Sequence, residues 1–200
     1  MINTRITLIE QPAVASSGKT ENIQLRQAQI IFDKLPKLAE LRNIDRRSDN
    51  GKFITTALLI CAYKTWAPDN PDICELMMQE LMCSPTIRNA YTPFTREFVR
   101  NAMRQNDKWR YLADAYFDGA SPQNHYTPSL PLTITVREYP YLPQSSTIYG
   151  CQLLIDKVVL EFNGSQNQRT LSLYCDPQDD RWYIWSDSHG SLLADIIAPL

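Results

Sequence analysis

This sequence is poor in the residues from which small-molecule sites are usually built. It has six glycines and two histidines, His125 and His189, in 200 residues. So little glycine leaves few places where bare backbone can wrap a ligand, and two histidines cannot supply a three-histidine metal centre. No G-x-S-x-G elbow, H-E-x-x-H pair or G-x-G-x-x-G turn occurs. With no ligand spacing around either histidine, neither a metal nor a cofactor is expected. Long apolar runs are missing too. The longest, Ala57–Ala62, is far short of the roughly 20 residues a spanning helix needs, so no membrane role is expected. Charge of one sign does not dominate: 20 Lys+Arg stand against 22 Asp+Glu, a net of −2. That balance argues against nucleic acid as a partner of the whole chain. The opening Met1–Glu10 does not read as an export signal, because Glu10 interrupts a short apolar run, and the expected location is the cytoplasm. The five cysteines form no C-x-x-C pair and sit among apolar neighbours, as reduced core thiols do.

What is present is hydrophobic periodicity of two kinds. Arg5–Glu10 alternates as a short strand, and a small-residue loop follows to Thr20. From about Glu21 the spacing of Leu25, Ala28, Phe32 and Leu35 predicts a helix, kinked at Pro36. Lys52–Trp66 reads as a helix buried on more than one side. Asn70-Pro71, Ser84-Pro85 and Thr92-Pro93 each pair a capping residue with a proline suited to the first helical position, predicting three more helix starts. After Pro93 the apolar stripe is Phe94, Phe98, Ala102 and Met103, and the helical spacing continues through Tyr116 to Gly119.

Beyond Pro128 the period becomes two. Leu132–Arg137, Cys151–Phe162, Thr170–Cys175 and Arg181–Ser186 read as strands, with a bulge or two-sided burial near Asp156. Turn chemistry at Asn163–Asn167 and Asp176–Asp180 makes neighbouring strands antiparallel. Ser191–Ala198 closes as a brief helix. The predicted fold is α+β: an amino-terminal helical half packed on a carboxy-terminal antiparallel sheet of about four strands. It divides into a short strand and flexible loop at 1–20, a helical region at 21–118 and a sheet region at 119–200, expected to form one joint domain.

Four features bear on function. Ala13–Thr20 fits a relaxed phosphate-loop pattern in which Gly18, Lys19 and Thr20 would cradle a nucleotide, but a solvated loop is the better reading, because no alternating βα units follow. Arg96, Arg100, Arg104 and Lys108 recur at i,i+4, a basic row about 18 Å long on a continuous helix. Like charges at that spacing repel, so the row does not serve helix stability; it is a solvated face eased by neighbouring acids, or a docking surface. Trp182 and Trp185 point to opposite sheet faces, which would place one in the core and leave the other free for contact. Asn124, His125 and Tyr126, candidate binding residues whose binding role is secondary to a structural one, fall in the junction Tyr116–Pro128. There Gly119 ends a helix, Asn124 suits a side-chain-to-backbone turn and Tyr126 anchors the loop.

The stretch Gly119-Ala-Ser-Pro-Gln-Asn-His-Tyr-Thr-Pro128 resembles an uncharacterised bacterial family, a domain of unknown function, in its Gly-x-x-Pro-x-Asn-x-Tyr-x-Pro motif. Arg169, Leu171 and Trp182 match its later Arg-x-Leu step and tryptophan, and the resemblance covers roughly residues 107–200. It implies a domain and no mechanism. The expected function is therefore a non-enzymatic protein-interaction or structural module, with a protein partner or a second copy of the chain as ligand. A nucleotide-binding enzyme and a small-ligand domain are the alternatives.

Overall fold

Residues 25–32 can be read with either period, and tertiary pairing decides between them. The structure is a computed structural model that describes residues 4–11, 25–140, 143–148, 150–164, 168–185 and 188–200. In it Leu25–Phe32 is strand β2, not a helix, and it pairs antiparallel with β1 (Thr4–Gln11) on one side and β3 (Leu132–Glu138) on the other. Ala28, Ile30 and Phe32 alternate toward the core and are fully buried. Residues 27–32 are paired on both edges, which satisfies the backbone of a short apolar run more completely than a helix of that length would.

Four helices follow in sequence: α1 (Leu38–Asn43), α2 (Gly51–Lys64), α3 (Asp72–Met82) and α4 (Pro93–Arg104). α2 is buried on all sides from Gly51 to Tyr63, further than the burial on more than one side that its largely apolar run predicts. Thr92 caps α4, its hydroxyl accepting the Thr95 N–H at 3.1 Å, with Pro93 in the first turn. Ser84-Pro85 starts no helix. The Ser84 hydroxyl instead accepts the Ile87 N–H at 2.9 Å and closes a turn.

Strands β4 (Gln144–Ile148), β5 (Cys151–Leu160), β6 (Arg169–Cys175) and β7 (Trp182–Ile184) complete one seven-stranded sheet, antiparallel throughout. Its order is β1-β2-β3-β5-β6-β7, with β4 also on β5. The sheet has more strands than the four expected, and it draws on both ends of the chain, with the helices between β2 and β3 in sequence. Near Asp156 β5 changes partner: Cys151–Ile155 pair with β4, and Val158–Leu160 pair with β3. The turn at Asp176–Asp180 forms as read, closed by Asp180 N–H to Asp176 O at 2.9 Å.

One face of the sheet carries Ala28, Ile30, Ile134, Val136, Val158 and Leu171 against α2. By the same parity Arg26, Glu138 and Asp156 lie on this face, at one end of the apolar set. The five cysteines are free, and burial pushes the thiols of Cys61 and Cys74 up. Among the described residues no helix is long and apolar enough to cross a membrane.

Candidate binding surface

α4 does not bury the stripe that its spacing suggests. Thr95, Val99 and Met103 face inward, whereas Phe94 is 80 % exposed and Phe98 41 % exposed. The apolar pattern tolerates two registers around the helix, and the more aromatic one lies outside. Phe98 then walls a groove of about 480 Å³ between α4 and the 3₁₀ turn His189–Leu193. Asn101, Gln105 and Lys108 extend one wall, and Leu193 and Asp195 stand on the other. Gly190 lines the groove beside Phe98, where a Cβ would make ordinary contact with the ring at 3.4 Å. Behind the groove the Phe98 ring meets the buried His189 ring edge-on, centroids 6.0 Å apart.

The basic row is shorter than expected. α4 stops at Arg104, and Asn106 and Asp107 adopt left-handed φ of 54° each. This break turns the chain so that Lys108 lines the groove instead of continuing a straight row. Arg100 is committed to Glu75 of α3, Nε to Oε1 at 2.6 Å. The Arg96 guanidinium lies 3.9 Å from Glu97. Arg104 is exposed and makes no ion pair among the described residues. Of the row, Lys108 lines the groove, and Arg104 is the exposed cation one turn before it in sequence.

The residues of the 119–128 junction lie elsewhere and act on the backbone. The Asn124 carboxamide oxygen accepts N–H groups of Ser121 and Thr127 at 2.9 and 3.2 Å. Its amide donates to the carbonyls of Gly119 and Thr127 at 2.7 and 3.1 Å. His125 and Tyr126 sit at φ of 53° and 54°, and Gly119 at 82°. The Tyr126 hydroxyl donates to Ile197 O at 2.6 Å, and its ring stacks on Tyr111 with centroids 5.6 Å apart. A family model described as a domain of unknown function, DUF6935, matches residues 34–200. The chain belongs to that family. No curated protein and no solved structure matched the chain.

The family match takes in α1–α4 and β3–β7, and so includes the groove, the 119–128 junction and the last strand. Trp182 on that strand is buried, and Trp185, just past its end, is half-buried and packed edge-on to Tyr174 with centroids 6.0 Å apart. Trp185 thus belongs to the packing around the core and does not form an open aromatic patch. Gly18, Lys19 and Thr20 lie outside the described residues. The segments on either side of them are β1 and β2, two antiparallel strands, where a phosphate loop needs a strand followed by a helix.

Periodicity missed a buried ionic cluster. Lys52 in the first turn of α2 places its ammonium 2.5 Å from Asp156 and 2.7 Å from Glu138. Arg26 closes on Glu138 at 2.7 Å. Burial pushes the Glu138 carboxyl up, but hydrogen bonds from Arg26 and Lys52 outweigh it and hold the group below its ordinary range. The signal was present in the alternation: Arg26, Glu138 and Asp156 each share parity with core residues of their strands. A second buried cation, Arg46, is 2 % exposed. Its Nη2 donates to Glu80 O at 3.2 Å, while Nε and Nη1 have no partner among the described residues. Its guanidinium lies over the Tyr183 ring, 5.1 Å from the centroid. Burial lowers its pKa. Neither cation lines the groove.

Proposed function

We propose that this domain is a non-enzymatic protein-interaction module, and that the outer face of α4 with its groove is where a partner docks. The observation that carries the reading is the pair Phe94 and Phe98, one helical turn apart and open to solvent beside a concave surface. Large aromatics at that spacing can contribute to the core, so their exposure here leaves apolar area for a partner to bury. Asn101 and Gln105 add donors and acceptors suited to a peptide backbone. The polar contacts of Asn124 and Tyr126 are spent within the fold, which supports a structural role for that junction.

The test is selection of a random peptide library displayed on phage against the wild-type domain, followed by binding assays with Phe94→Ser/Phe98→Ser. Enriched peptides should bind the wild type and lose affinity for the double variant by at least about tenfold, the loss of one good apolar anchor. Peptides that bind both proteins equally would remove this surface from consideration.

A further inference from the structure

Resting on that interaction reading, we infer that the α4 groove takes an acidic peptide segment carrying one bulky apolar side chain. The argument is charge complementarity around an apolar seat. Residues 93–110 hold five cations, Arg96, Arg100, Arg104, Lys108 and Arg110, against two acids, Glu97 and Asp107. The whole chain, by contrast, is slightly acidic. Within that basic segment Arg100 is neutralised by Glu75, and Arg110 is 3.8 Å from Asp107.

Arg104 and Lys108 are not so offset. Arg104 is exposed, three residues from Asn101 and next to Gln105, both in the groove wall. Lys108 lines the groove itself, and the one polar contact described for its ammonium is Gln105 Oε1 at 3.3 Å. A cation without a carboxylate partner, beside an exposed phenylalanine, favours a carboxylate flanking an apolar anchor.

The anchor seat is the part of the groove lined by Phe98, Leu193 and Gly190. Asp195 is the acidic exception in the wall. It suits backbone N–H groups or a terminal amine, which a peptide supplies and a fatty anion does not. Asn101 and Gln105 offer the neutral hydrogen bonds an extended backbone needs. Together these features fit an extended acidic peptide better than a uniformly apolar helix.

The same displayed library tests the inference separately from the module reading. Enriched peptides should combine Asp or Glu with a single Leu, Ile, Phe or Trp. Their affinity should fall at least about tenfold with Arg104→Glu/Lys108→Glu, a pair of surface changes that leaves the core alone. It should also weaken as salt rises, because exposed charges are screened. Neutral or basic peptides that still need Phe94 and Phe98 would overturn the acidic assignment and leave the module standing. No enrichment, or binding indifferent to Phe94→Ser/Phe98→Ser, would overturn both. A labelled single-stranded oligonucleotide that outbinds the selected peptides, and fails with the same charge reversal, would assign the patch to nucleic acid and overturn the inference.

Discussion

The Lys52 ammonium lies 2.5 Å from the Asp156 carboxylate, and this one contact ties the first turn of α2 to the middle of β5. Both side chains are almost wholly buried, so neither charge has water to fall back on. Lys52→Met should therefore destabilise the domain by about 3–5 kcal/mol, because Asp156 is left buried without its cation. Adding Asp156→Leu should recover most of that loss, since an apolar pair of similar volume carries no desolvation cost. Urea denaturation of the two variants measures both numbers. A single variant as stable as the wild type would show that water reaches the pair.

The acid limb of stability should respond to Glu138 and Asp118 with opposite sign. Glu138 titrates below its unfolded value, so its contribution is complete above that value and is lost as pH falls through the folded one. Asp118 is raised, by burial first, with the Thr135 hydroxyl bond only partly opposing it. Its contribution is full below the unfolded value and is lost as pH rises through the folded one. Glu138→Gln should flatten the loss of stability on acidification, and Asp118→Asn should raise stability above the ordinary aspartate range. Thermal melts across the acid range decide this, and parallel curves for the two variants would contradict it.

Arg46→Met should be neutral or stabilising. The guanidinium is buried with two nitrogens lacking partners among the described residues, and methionine keeps the length of the stem while removing the cost of burying a charge. The lost contact to Tyr183 is worth about 2 kcal/mol. A destabilisation well beyond that would mean the two nitrogens have partners in solution, such as internal water.

Asn124→Ala should cost about 1–2 kcal/mol. Four hydrogen bonds from one exposed side chain hold the 119–127 loop, and water can replace them only in part. Asn124→Asp keeps the two accepting contacts and forfeits the two donating ones. It should fall between alanine and wild type when melting temperatures are compared.

Several parts of this molecule are determined by the sequence alone, because their causes are local. The Thr92-Pro93 cap, the turn built on Asn124, the Asp176–Asp180 turn and the alternation of 132–137 and 170–175 each depend on neighbours a few residues away. The largely apolar run of α2 likewise foretold burial on more than one side. Tertiary structure decided what has two local answers. Residues 25–32 satisfy both a helical and a strand period, and became a strand because β1 and β3 offer partners on both edges. Phe94 and Phe98 recur at helical spacing, and stayed outside because Thr95, Val99 and Met103 fill the inner face of α4. Lys52 could enter the core only because Asp156 and Glu138 meet it there, from strands more than eighty residues further along. A charge is buried by what surrounds it in space, and that company is a property of the fold.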